Sequence, residues 1–146
     1  MLGLTVGRDL VVANPGSAVA QLAQAFDIFW LTSRAEGVPA VLGEAMALAI
    51  PIVATDVGSV REAVHEAKAG FVVAPRNPRA IVDASLPLVN DPELCAKLGC
   101  SGQRYARERF DVRVCADIYL LAFRKALACR ARRGSASASP QTSATR

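Results

Sequence analysis

The strongest constraint on the fold of this 146-residue chain is an alternation of two periods along its first 90 positions. Short β-rich runs occur at Leu10–Val12, Asp27–Leu31, Ile52–Thr55 and Phe71–Val73, each nearly continuous in apolar residues. That is the pattern of strands buried on both faces. Helical stretches lie between them. Ser17–Ala25 follows a Pro15-Gly16 turn with Ser17 as its expected cap, Pro39 precedes Ala40–Ala49, and Ser59 is the expected cap of Ser59–Ala67. Asn77-Pro78 and Asp91-Pro92 are cap-then-proline starts for two more helices. Strand–helix alternation with short loops predicts βαβ units and an α/β fold with a parallel, doubly wound, Rossmann-like sheet.

After Asp91 the strand signal stops. Pro92–Leu98, Ser101–Arg109 and Val112–Arg130 read as helices, with Gly99 and Phe110-Asp111 as breaks. The last carries Val114, Ile118, Leu121 and Leu127 towards one face, enough to dock on a sheet or on a neighbour. The sequence therefore divides into a domain over 1–130 and a Ser/Ala-rich tail over 131–146 expected to be disordered. Four parallel strands make only a partial doubly wound sheet, whose apolar edge needs a cover.

Composition excludes several classes. At 52% hydrophobic and 21% charged, the chain is too apolar for a disordered protein. No apolar run approaches the roughly 20 residues that span a bilayer, and Met1-Leu2-Gly3-Leu4 does not read as a signal peptide. The net charge of +4 is confined to the end of the chain, where Arg130, Arg132, Arg133 and Arg146 stand without an acid and leave 13 basic against 13 acidic residues elsewhere. A neutral body gives no reason to expect a nucleic-acid partner. Cys95, Cys100, Cys115 and Cys129 lack both CxxC spacing and a neighbouring histidine, so they read as small buried residues of a reducing cytosol rather than metal ligands. The one histidine, His65, reads as a helix-end residue.

The chemistry concentrates in Thr32–Glu44, T-S-R-A-E-G-V-P-A-V-L-G-E, which leaves the carboxyl end of the second run and enters a helix. Open α/β sheets bind ligands outside the carboxyl ends of their strands. A helix start adds free N–H groups and a positive dipole end, a seat for phosphate, and Gly37 admits close backbone approach. Glu44 is expected one turn inside, on an apolar face with Val41, Ala45 and Leu48, where a carboxylate needs a partner such as a ribose diol. Glu36 is expected at the helix mouth. Spacing alone leaves a structural role for both acids open. Neither GxGxxG nor GxxxxGK[ST] occurs, which disfavours a dinucleotide fingerprint or a P-loop.

The run from Ser33 to Val64, S-R-A-E-G-V-P-A-V-L-G-E-A-M-A-L-A-I-P-I-V-A-T-D-V-G-S-V-R-E-A-V, resembles the donor-site signature of the group 1 glycosyltransferases, family four of the retaining GT-B enzymes. That signature reads S-x-x-E-G-x-P-x-x-x-x-E-A-M-A-x-G-x-P-V-V-A-T-x-V-G-G-x-x-E. Likeness extends from about Leu2 to Leu127, through Ala25–Phe29, Gly70–Pro78, Arg109-Phe110 and Tyr119. The resemblance implies the C-terminal half of a GT-B enzyme that moves a sugar from a nucleotide-sugar donor to an unknown acceptor with retention, needing no metal or other cofactor. It implies that Glu44 holds the ribose hydroxyls, that Glu36 acts catalytically facing the donor sugar, and that the backbone of Gly37, Val38, Pro39, Ala40 and Val41 cradles diphosphate and sugar.

Several departures from the signature bear on these roles. Ala49 stands where the family has glycine, so it should need a different helix end, because alanine tolerates positive φ poorly. Gly43 replaces a common leucine, and Ser59 replaces the second glycine of V-G-G. Val6-Gly7-Arg8 mimics a family V-G-R element but lies too near Glu36 to be it, so Arg8 reads as a surface charge. The acceptor-binding domain and the basic residues that face the diphosphate are not in this sequence. The chain is therefore expected to be inactive alone, with a missing N-terminal domain or chain as its partner. A cytoplasmic location is expected, and peripheral attachment of a full-length enzyme to the inner membrane face stays open. The alternatives are a non-catalytic nucleotide-binding or interaction module of the same fold, or another GT-B relative such as an epimerase.

Overall fold

The computed structural model describes residues 3–14, 16–37 and 39–136. They form two compact units, one ending at Arg107 and one beginning at Glu108.

The first unit is built on three strands, β1 (Phe29–Leu31), β2 (Ile52–Thr55) and β3 (Gly70–Val73), in the order β1-β2-β3. All pairing is parallel, with Phe29 opposite Ile52 and Ile52 opposite Gly70. Their connections are helices α2 (Ala40–Ala47) and α3 (Val60–Ala67), as a parallel pair requires. A 3-10 turn at Gly16–Ala18 and α1 (Val19–Ala23) precede β1, and α4 (Pro78–Asn90) and α5 (Pro92–Arg109) follow β3. Both cap-then-proline readings hold: Asn77 Oδ1 accepts from Ala80 N–H at 3.1 Å, and Asp91 Oδ1 from Leu94 N–H at 2.9 Å.

Side chains alternate across the sheet, so successive residues of β2 serve different cores. Ile52 and Ala54 join Leu42 and Met46 of α2 and Val60 and Val64 of α3 in one cluster. Val53 joins Ile81 and Leu88 of α4 in the other. Every residue of β2 is buried, which is why its run Ile52–Thr55 is apolar without alternation.

The structure corrects five expectations. Leu10–Val12 is no strand: only an isolated bridge joins Val6 to Leu10, and Val11 and Val12 are exposed. A β-rich run without a neighbour among the described residues has no ladder to join. The helix expected to be capped by Ser17 begins at Val19, with Ala18 at the cap position. Ser59 stands at the start of α3 without capping it by its side chain.

The two helices expected to break at Gly99 are one continuous helix, α5. Gly99 there marks a close approach. A Cβ on it would lie 2.1 Å from the carbonyl oxygen of Ala49, and the missing side chain lets α5 pass the end of α2. Finally, α6 (Val112–Ala136), in the second unit, runs six residues past Arg130, because alanine and arginine favour helix. Residues 137–146 of the expected tail lie outside the described residues. Ile118, Tyr119, Leu121 and Leu127 of α6 are exposed. No helix among the described residues is long and apolar enough to cross a membrane.

Candidate functional site

The loop from Thr32 to Pro39 carries the chain from the carboxyl end of β1 into α2, and the neighbouring strand β2 holds it in place. Thr55, the last residue of β2, is buried, and its hydroxyl donates to the carbonyl of Ser33 at 2.6 Å, with the carbonyl of Leu31 3.3 Å away. Further along, Ser59 donates twice to the carbonyl of Gly37, from its N–H at 3.2 Å and its hydroxyl at 2.8 Å. The hydroxyl expected to cap α3 thus serves the site loop instead. Gly58, at φ +53°, lies so close that a Cβ would sit 2.2 Å from the carbonyl oxygen of Glu36. Arg61 pairs with Asp56 at the other end of that supporting turn, and its guanidinium holds the Asp56 carboxyl below the usual carboxylate range.

Within the loop, the Ser33 hydroxyl donates to Glu36 Oε1 at 2.5 Å, which orients that carboxylate. Gly37 has the opposite surroundings to Gly58, since a Cβ added to it would meet nothing. The start of α2 is uncapped: Pro39 stands at the cap position and no side chain accepts from the first turn among the described residues. Ala40 and Val41 therefore present backbone donors at a helix end of positive dipole. The structure brings Glu36, Gly37, Pro39, Ala40 and Val41 together at one mouth, whereas Val38 lies outside the described residues.

Glu44 corrects the sequence reading. It is exposed, as is Val41, because the buried stripe of α2 is Leu42, Ala45 and Met46. An exposed carboxylate pays no desolvation penalty, so burial gives Glu44 no need of a partner. Two cysteines correct it as well. Cys95 and Cys115 are partly buried, but Cys100 and Cys129 are exposed. Burial, with a smaller contribution from the Asp27 charge, pushes the Cys95 thiol up. Arg8 is at the surface as expected, paired with Asp9 at 2.8 Å, and His65 is exposed in the last turn of α3.

The sequence reading missed the supporting roles of Thr55, Gly58 and Ser59. It also missed a cleft of about 860 Å³ at the carboxyl ends of the strands beside α4, lined by Trp30, Arg34 and Arg76 among others. None of the residues assigned to the donor lines it.

Comparison with known proteins places these features in context. The family described as glycosyl transferases group 1 matches residues 4–105. A D-inositol 3-phosphate glycosyltransferase of Corynebacterium urealyticum is 32% identical over 92 residues, 63% of this chain and 22% of that protein. One of the same name from Rhodococcus erythropolis is 30% identical over 125 residues, 86% of this chain and 28% of that protein. The sucrose-phosphate synthase of Thermosynechococcus elongatus superposes with a TM-score of 0.68 at 25% identity, over 74% of this chain and 27% of its own. The parallel sheet and its helices match part of a GT-B fold. The chain spans 22–28% of the two curated relatives just described.

Proposed function

The chain belongs to the group 1 glycosyl transferases, and from that premise we propose that it supplies the nucleotide-sugar-binding part of a transferase that acts with retention of configuration and without a metal ion. The observation that carries this reading is the pinned loop leading into the uncapped start of α2. In this reading the backbone from Gly37 to Val41 cradles the diphosphate. Charge accumulates on that diphosphate as the bond to the sugar breaks, and the N–H groups and dipole of α2 stabilise it without having to reorganise. Glu36, oriented by Ser33, faces the donor sugar. Glu44, exposed one turn along, accepts hydrogen bonds from the ribose hydroxyls. The acceptor, and a further domain or chain that binds it, complete the reaction, and this stretch alone transfers little or no sugar.

Thermal melting of the chain with UDP, GDP, ADP and their glucose or mannose conjugates tests the proposal. A ligand that binds only the folded state at a hundred times its Kd adds about 2.7 kcal/mol. One nucleotide should raise the melting temperature, and Glu44→Ala should abolish the rise. A sharp melt indifferent to every nucleotide would sink the donor-site reading and leave a non-catalytic module of the same fold.

A further inference from the structure

The cleft beside α4 has a chemistry of its own. Its floor is the indole of Trp30, a side chain 51% exposed yet fixed in place, since its Nε1 donates to the Ser85 hydroxyl at 2.9 Å. Ile81 and Val82 of α4 extend that apolar floor. Arg34 and Arg76 line the same cleft, and no Asp or Glu does. The other arginines in ion pairs, Arg8, Arg61 and Arg79, each have an aspartate partner, but neither Arg34 nor Arg76 has one among the described residues. Asn77 uses its side-chain oxygen to cap α4, so its amide N–H groups remain to donate. A cavity with two uncommitted guanidinium groups, an amide donor and no carboxylate attracts an anion. Beside it, a ring face and two aliphatic side chains suit an apolar or flat body.

Arg76 adds a second observation. It sits at φ +60°, in the left-handed region that favours glycine, although its side chain makes no ion pair that would hold it there. A non-glycine residue in that region costs about 1–2 kcal/mol.

We propose that this cleft is a binding site for a phosphate ester with a ring or apolar body, separate from the mouth of α2. Arg34 and Arg76 hold the phosphate, the Asn77 amide adds a donor, and the body lies on the Trp30 indole. The site does not depend on the nucleotide reading of Glu36 and Glu44.

Trp30 is the single tryptophan of the chain, so its fluorescence reports directly on the cleft. Titration of the full chain with phenyl phosphate should change the emission saturably. Phenol and inorganic phosphate should each bind at least about tenfold more weakly, since each offers half of the recognition. Arg34→Gln and Arg76→Gly should each weaken phenyl phosphate about tenfold, the loss expected for a hydrogen bond to a charged group. Arg76→Gly should at the same time raise the melting temperature by relieving its backbone, a combination that damage to the fold would not produce. Glu44→Ala should leave the titration unchanged, which separates this site from the donor site. Equal affinity in wild type, Arg34→Gln and Arg76→Gly would overturn the proposal. So would loss of binding in Glu44→Ala, or inorganic phosphate binding as tightly as phenyl phosphate.

Discussion

Ala49 shows how much one residue can reveal. The helix α2 ends in a Schellman arrangement, with Ile50 N–H on the carbonyl of Ala45 and Ala49 N–H on that of Met46, both at 3.0 Å. This closure requires Ala49 at φ +59°, the conformation glycine adopts freely. The sequence anticipated the difficulty, because alanine stood where the family signature has glycine. Ala49→Gly should therefore stabilise the chain by about 1 kcal/mol, read as a higher denaturant midpoint with an unchanged slope. Glu44 was harder to read. Helical spacing puts it near Ala45 and Leu48, but the side of α2 that meets the sheet is chosen by Leu42 and Met46, and spacing within one helix does not reveal that choice. Arg34 and Arg76 were invisible for a simpler reason: 42 positions separate them in the sequence, and only the parallel sheet brings their loops to one end.

At the scale of elements, the three strands were legible because burial on both faces leaves a continuous apolar run, and two helix starts because a capping side chain and a proline mark them locally. The misreadings share one cause. Leu10–Val12 has strand composition without a partner, Gly99 reads as a breaker although packing demanded a bare Cα there, and Ser59 reads as a cap although a neighbouring loop claims its hydroxyl. Each was settled by a contact distant in sequence. The two glycines of the site should behave oppositely for the same reason. Gly58→Ala forces a Cβ into the Glu36 carbonyl at positive φ and should lower stability by about 2 kcal/mol or more. Gly37→Ala meets open space, so it should leave stability nearly unchanged while weakening nucleotide binding. Paired melts with and without nucleotide check both, and a stability loss at Gly37 as large as that at Gly58 would contradict the assignment.

For the molecule as a whole, stability rests on the two apolar clusters rather than on charge, since the ion pairs Arg8–Asp9, Arg61–Asp56 and Arg79–Asp83 all lie at the surface. Asp9 and Asp56 are nonetheless held below the usual carboxylate value, chiefly by hydrogen bonds from Arg8 and Arg61. A carboxylate whose folded pKa is depressed contributes stability above its unfolded pKa and loses it as pH falls through the folded one. The melting temperature should accordingly be level between about pH 5 and 8 and decline below about pH 4, less steeply in Asp56→Asn. A decline beginning near pH 6 would point to a different group.

The attachment of the Thr32–Pro39 loop to β2 has a thermodynamic consequence for recognition. Thr55, Gly58 and Ser59 tie that loop to the one strand buried along its whole length, so it loosens only when the middle of the sheet does. Its amides should exchange with solvent as slowly as those of a core element, although several of its residues face water. The backbone entropy of the mouth is surrendered when the chain folds and not when a ligand arrives, and affinity there depends on the contacts made rather than on the cost of ordering the loop.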